Sequence, residues 1–69
     1  MMNKLQTRIK ELRKEHGLTQ KQLAQMLGKS ETGLASWEQG LSEPCVADII
    51  KLCEIFHVSS DYLLGITEL

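Results

Sequence analysis

The sequence has little proline, few aromatic residues and no long apolar run. Proline occurs once, at Pro44, and aromatic residues make up 4% of the 69-residue chain. No stretch reaches the roughly 18 consecutive apolar residues that a membrane-spanning helix needs, and the N-terminus lacks the apolar region of a signal peptide. No segment alternates apolar and polar residues with a period of two, so strands are not expected. These absences favour a cytoplasmic, all-α protein without a membrane partner.

Cysteine is also scarce, with only Cys45 and Cys53. If both lie on one helix, their Cα atoms are roughly 12 Å apart, which exceeds the limit of about 7 Å for a disulfide. We therefore expect reduced, partly buried thiols. Cys53 and His57 share a helix face and could both reach a metal ion, but a structural site takes four ligands and no second suitable pair is present. Neither a metal nor a cofactor is expected.

The net charge of −1 hides a strong asymmetry between the two parts of the chain. Residues 1–29 carry seven basic and two acidic side chains, a net charge of +5, whereas residues 30–69 carry one basic and seven acidic side chains, a net charge of −6. Such asymmetry is typical of a protein with one side facing a polyanion. A polarised surface without a polyanionic partner explains it equally well.

Capping residues, glycine stops and apolar residues at helical spacing predict five helices. They are expected at about 4–15, 20–27, 31–39 and 46–57, with a short fifth helix after Ser59. Asn3 is expected to cap the first helix, Thr19 forms a capping box with Gln22 for the second, and Ser30 caps the third. Glycines are expected to end four of the helices, in part through the left-handed conformation: Gly17, Gly28, Gly40 and Gly65.

The second and third helices are joined by only three residues, which start at Gly28. A left-handed glycine permits this sharp turn, and Ala24 is small enough for the two helices to cross closely. Larger apolar side chains fill the space beneath them: Leu23, Leu27, Leu34 and Trp37. The segment 19–40 therefore predicts a helix-turn-helix motif, in which the second helix, at about 31–39, enters the major groove of DNA.

Several short motifs along the chain have the residue types and the spacing of a known protein family. They are Arg8-Ile9-Lys10-Glu11-Leu12-Arg13, Gly17-Leu18-Thr19-Gln20, Leu23-Ala24, Gly28, Trp37-Glu38-Gln39-Gly40, Pro44 and Val58-Ser59-Ser60-Asp61-Tyr62-Leu63-Leu64-Gly65. At this spacing the chain resembles the Cro/repressor-type helix-turn-helix family, the xenobiotic-response-element-like regulators that include the lambdoid phage repressors. The resemblance implies that residues 1–69 form a single domain, a compact five-helix bundle of the lambda-repressor-like kind, which binds an operator and usually dimerises.

The resemblance also implies which residues face DNA. In the family, the glutamine that matches Gln20 holds a phosphate, aided by amides at the helix N-terminus, and the outward face of the third helix reads bases. Lys21 and Lys29 flank the motif as candidate phosphate contacts, although solvated surface lysines are the other interpretation. The candidate DNA-binding residues are Thr19, Gln20, Lys21, Lys29, Ser30, Glu31, Thr32, Ala35 and Ser36.

Three acidic positions need separate interpretations. Glu31 either complements the positive end of its helix or accepts a hydrogen bond from a cytosine amine. Arg13 and Glu38 match an ion pair of many family members, and Glu38 lies at the negative end of its helix, where it needs a cationic partner. We expect a structural ion pair. The loop after the third helix is often basic in relatives but contains Glu43 here, which predicts few phosphate contacts and a shallow salt dependence.

These observations predict a sequence-specific regulator of transcription that binds double-stranded DNA, a repressor or Cro-like protein of a prokaryote or phage. A homodimer is expected, and no small-molecule ligand. The dimer surface is expected on the last helix and tail, although packing against the first helix is the other interpretation of the same side chains. The side chains of this expected dimer surface are Tyr62, Leu64, Ile66 and Leu69.

The alternative is a protein-interaction module on the same fold, such as an antitoxin-like protein or a partner of another regulator. The acidic residues Glu31 and Glu43 and the acidic second part of the chain favour it. An enzyme is not expected, because the sequence contains no plausible nucleophile–base pair, catalytic metal set or phosphate-binding loop.

Overall fold

A computed structural model of the protein describes residues 4–67, which form five α-helices and no strand. The helices are α1 (Leu5–Glu15), α2 (Gln20–Leu27), α3 (Glu31–Gln39), α4 (Val46–Phe56) and α5 (Ser60–Leu64). The all-α, five-helix prediction is confirmed, and each predicted helix boundary agrees with the structure to within a residue. The predicted cap Asn3 lies outside the described residues, and Lys4 is the N-cap of α1.

Local hydrogen bonds define the ends of α2 and α3. The Thr19 hydroxyl accepts from the Gln22 backbone N–H at 3.0 Å, and the side-chain Oε1 of Gln22 accepts from the Thr19 N–H at 2.8 Å, so the predicted capping box is present. The Ser30 hydroxyl accepts from the Gly33 N–H at 3.0 Å. Gly28 has a φ of 70°, a left-handed conformation that glycine adopts without steric cost. The sharp turn between the two helices follows from these contacts.

The end of α4 differs from the prediction. We expected His57 inside the helix, but it is the C-cap, with a left-handed φ of 57°. His57 is the one non-glycine residue with a positive φ among residues 4–67. The Val58 N–H then donates to the Cys53 carbonyl at 3.2 Å. This bond satisfies a carbonyl of the last helical turn and ends α4.

The apolar stripes of the helices meet in one core. Ala24 is 1% exposed and belongs to this core. Burial of each large aliphatic side chain contributes roughly 1.5–3 kcal/mol to folding, so the core holds α3 in place from beneath. The buried residues are Leu5, Ile9, Leu12, Leu23, Ala24, Leu27, Leu34, Trp37, Leu52, Phe56 and Leu63.

A buried arginine joins α1 to α5. Arg8 is 7% exposed, and its Nη1 donates to the Tyr62 carbonyl and, at 2.9 Å, to the Thr67 carbonyl. Its guanidinium carbon lies 4.0 Å from the centre of the Tyr62 ring, a cation–π distance. Arg8 thus ties the end of α5 to the start of α1.

Among residues 4–67, none of the helices combines the length and apolar character that a membrane crossing requires.

Candidate nucleic-acid interface

The helix α3 has one buried face and one accessible face. Leu34 is fully buried and Trp37 is 7% exposed, and both belong to the core. Ser30 at the N-cap and Glu31 and Thr32 in the first turn are exposed. The two remaining candidates on this helix, Ala35 and Ser36, are half-buried. The structure therefore groups the predicted base-reading residues on the side of α3 that the core leaves accessible.

The hydroxyl of Ser36 has a partner that the sequence did not indicate. Its Oγ lies 2.8 Å from Oγ of Ser42 in the loop after α3. A hydroxyl carries one donor and two acceptor positions, so this contact leaves Ser36 with further hydrogen-bonding capacity. The contact also ties the loop to the last turns of α3.

The predicted pair of Arg13 and Glu38 lies beneath the motif and has bidentate geometry. Nε of Arg13 donates to Oε2 of Glu38 at 2.6 Å, and Nη2 donates to Oε1 at 3.1 Å. The side chains are 11% and 3% exposed. Arg13 Nη1 also donates to the Leu18 carbonyl at 2.9 Å. Parallel charge-assisted bonds of this kind are short and directional, so the pair connects α1, the turn before α2, and α3.

Gln20 is part of the same network. Its Nε2 donates to Oε1 of Glu38 at 3.0 Å, which fixes the side-chain amide at the start of α2. An amide NH₂ carries two donors, so one remains available. The N–H groups of the first helical turn at Gln20 and Lys21 have no partner within the helix. This arrangement of donors suits an anion, and the exposed Lys21 lies beside it.

Lys29 reaches away from its own turn and contacts α4. Its Nζ lies 3.5 Å from Oδ2 of Asp48, with side-chain exposures of 42% for Lys29 and 7% for Asp48. The same oxygen accepts from the Cys45 N–H at 3.4 Å and from the Cys45 thiol at 3.1 Å. Burial raises the pKa of the Asp48 carboxyl, but the hydrogen bonds from Cys45 and the Lys29 ammonium outweigh it and hold the pKa below its usual value. No sequence signal pointed to this cluster.

The two thiols differ in environment. Cys53 is half-buried, and burial together with the neighbouring Glu54 raises the pKa of its thiol. Cys45 is exposed, so the expectation of partial burial was wrong for it; its N-cap position at the surface end of α4 explains this. Within residues 4–67, no three His, Cys, Asp or Glu side chains are placed to hold a metal ion.

The predicted dimer residues have mixed environments. Tyr62 and Leu64 are half-buried and pack against the core, whereas Ile66 is 71% exposed. Leu69 lies outside the described residues. An open cavity of about 380 Å³ lies beside α5 and is lined by His57, Val58, Ser59 and Tyr62. The structure also exposes Val46 and Ile50, at 74% and 54%, one turn apart on α4.

Comparison with known proteins agrees with this geometry. A helix-turn-helix family model matches residues 9–63, and the chain belongs to this helix-turn-helix family, as the Cro/repressor-type resemblance predicted. The chain is 38% identical over 58 residues to the HTH-type transcriptional regulator ImmR of Bacillus subtilis (strain 168), which covers 84% of this chain and 46% of ImmR. The chain spans between about a third and about half of the length of the curated relatives that it matches.

Solved structures support the same fold. A transcriptional regulator from Listeria innocua superposes with a TM-score of 0.89 and 31% identity, over 94% of this chain and 61% of that chain. The P22 c2 repressor, crystallised in complex with a synthetic operator, superposes with a TM-score of 0.81 and 32% identity, over 87% of this chain and 91% of the repressor chain. The predicted lambda-repressor-like fold is thereby confirmed.

Proposed function

We propose that this chain is a transcriptional regulator, a repressor or Cro-like protein, that binds a specific double-stranded DNA operator. The observation that carries the proposal is the geometry of α3, which buries Leu34 and Trp37 and leaves its opposite face accessible across a tight turn from α2. A helix held in this way fits the major groove. The similarity to the P22 c2 repressor, whose structure contains a synthetic operator, supports it.

The residues of the interface divide by the DNA group that they contact. We assign base reading to the outward side of α3, and phosphate contacts to the N-terminus of α2 and to Lys21, with Lys29 within reach of a phosphate. The base-reading group is Ser30, Glu31, Thr32, Ala35 and Ser36. The phosphate group is Thr19, Gln20 and Lys21, and Lys29 is a further candidate whose ammonium group contacts Asp48 in the free protein. The hydrogen bond from Gln20 to Glu38 supports this assignment, since it orients the amide at the helix N-terminus.

The proposal includes the setting in which the chain acts. Residues 1–69 act as one domain, as a homodimer in the cytoplasm, without catalytic activity, cofactor or small-molecule ligand. The symmetric operators read by dimers of this motif support the dimer. The exposed Ile66 and the cavity beside α5 are consistent with a dimer surface at the end of the chain.

The test is selection of binding sites from a random duplex DNA pool at about 50 mM salt, where phosphate contacts are strong. We expect enrichment of a two-fold-symmetric motif with half-sites about one helical turn apart. Thr32→Asp should abolish the enrichment, because it places an anion on the exposed side of α3. Lys51→Gln, a change on the exposed surface of α4, is the matched control and should retain it.

No enrichment with a folded protein would contradict operator binding and favour the alternative, a protein-interaction module on the same fold. If a motif is enriched, Glu31→Gln separates the two roles of that side chain. A changed base preference at one operator position is expected if the carboxylate accepts from a cytosine amine. An unchanged preference would leave Glu31 with the structural role at the helix N-terminus.

A further inference from the structure

We infer that Asp48 is an internal competitor of the DNA backbone: its carboxylate retains the ammonium group of Lys29, and so weakens operator binding. The inference rests on the proposed function, because it concerns the affinity of the same interface. It gives α4, which carries none of the proposed DNA contacts, a part in setting how tightly the protein binds.

The position of Lys29 makes it a natural phosphate contact. It lies in the turn between α2 and α3, directly before Ser30, the N-cap of the proposed recognition helix. A DNA phosphate backbone that passes the N-terminus of α3 comes within reach of the long, flexible side chain of Lys29. In the free protein, however, Nζ of Lys29 points to α4 and lies 3.5 Å from Oδ2 of Asp48.

The two partners are unequal, and this inequality decides which of them moves. The Asp48 side chain is 7% exposed, and two bonds from Cys45 fix its Oδ2. Its lowered pKa keeps the carboxyl ionised at neutral pH. Lys29 is 42% exposed and can swing outward. A fixed anion therefore competes with phosphate for a mobile cation.

Salt dependence of DNA binding measures this competition directly. Each lysine that neutralises a phosphate adds about 0.9 to the slope of log K against log salt for duplex DNA. The enriched operator duplex would be titrated between roughly 50 and 200 mM salt with four proteins: the original chain, Asp48→Asn, Lys29→Gln and the double variant. Asparagine retains the shape and an acceptor for the Cys45 N–H but not the charge.

We expect Asp48→Asn to bind more tightly and with a slope steeper by about 0.9. Lys29→Gln should leave the slope of the original chain almost unchanged, and the double variant should match Lys29→Gln. A gain that persists in the double variant would overturn the inference, because Asp48 would then act by simple repulsion of phosphate. A slope that falls by about 0.9 in Lys29→Gln alone would also overturn it, since Lys29 would already contact phosphate.

A second comparison avoids any dependence on the folding of the Asp48 variant. Lys21, exposed at the start of α2, has no ion-pair partner within residues 4–67 and is the matched lysine. Lys21→Gln should flatten the slope by about 0.9, whereas Lys29→Gln should not. Equal effects of the two changes would contradict the inference. Absence of duplex binding by every protein would overturn the proposed function, and the inference with it, whereas operator binding with unchanged slopes would overturn the inference alone.

Discussion

Two charged clusters flank the helix-turn-helix motif, and they differ in nearly every physical respect. In the Arg13–Glu38 cluster, both side chains are almost fully buried and two nitrogen–oxygen contacts of 2.6 and 3.1 Å join them. In the Lys29–Asp48 cluster, one 3.5 Å contact joins a buried carboxylate to a half-accessible ammonium. The first cluster connects α1, α2 and α3, and the second connects the turn before α3 to α4.

The comparison shows that an ion pair has a structural role when both partners are buried, because the loss of either partner then carries a large free-energy cost. Removing one member of a buried pair leaves an uncompensated charge and typically costs 3–5 kcal/mol, whereas an exposed pair contributes about 0–1 kcal/mol. Arg13 and Glu38 fall into the first group. Lys29 can exchange its partner for water or phosphate, so its cluster is suited to tuning an interface and not to holding the fold.

The largest expected effect follows from Arg13→Met. The change leaves the Glu38 carboxylate, 3% exposed, without its cation, and we expect a loss of about 3 kcal/mol in the free energy of unfolding. Urea titration followed by the fluorescence of Trp37, the single tryptophan, measures it. The double variant with Glu38→Leu is the control and should recover much of the loss. A cost below about 1 kcal/mol would place this pair with the exposed ones.

Arg8→Met tests a buried arginine that donates to backbone carbonyls. Arg8 donates to the Tyr62 and Thr67 carbonyls and lies over the Tyr62 ring, and loss of charge-assisted bonds of this kind should cost about 2 kcal/mol. Lys10→Met, on the exposed side of the same helix, should stay within about 0.5 kcal/mol of the original chain. Equal denaturation midpoints for the two variants would show that Arg8 contributes no more than a surface residue.

Lys29→Met tests the weak cluster by stability alone. The contact is partly solvated, so the expected loss is less than about 1 kcal/mol. At about 1 M salt the Debye length is near 3 Å, and the difference between variant and original chain should disappear. Thermal unfolding at low and high salt measures this. A loss that persists at high salt would indicate that Lys29 stabilises through the packing of its aliphatic stem.

The smallest expected effect concerns acid stability. The pKa of Asp48 is lowered in the fold from its ordinary value of 3.8, so its contribution is complete above that value and is lost as the pH falls through the folded pKa. The melting temperature should fall less steeply for Asp48→Asn than for the original chain between about pH 5 and pH 2. Parallel curves would show that ionised Asp48 adds nothing to stability.

Local chemistry made the motif predictable from the sequence. Thr19 with Gln22, Ser30 and Gly28 act over a few residues, so their roles depend little on the rest of the fold. The helical spacing of Leu34 and Trp37 is also a local pattern, so their place in the core was predictable as well. The pair of Arg13 and Glu38 was predictable because Glu38 at the negative end of α3 needs a cation and because the family pattern supplied the partner.

Other features depend on distant contacts that leave no local pattern. Lys29 and Asp48 meet only because α4 packs beside the α2–α3 turn, and neither residue signals the other in the sequence. The acceptors of Arg8 are backbone carbonyls, which have no residue identity to read. The sequence left Tyr62 open between a dimer surface and packing against the first helix, and in the structure its ring lies under the Arg8 guanidinium of α1. The DNA-contact roles of the site residues remain predictions for the selection and salt experiments.

The contacts of Arg8 also have a mechanical consequence. Arg8 lies one turn from the start of α1 and holds carbonyls at 62 and 67, while a Cβ at Gly65 would lie 2.9 Å from the Cβ of Lys4. The described chain is therefore nearly a closed loop. A force that pulls residues 4 and 67 apart acts first on this junction between α1 and α5, and it loads the arginine contacts before it reaches the core. Any segment joined to either end would transmit tension to the domain through this junction between α1 and α5.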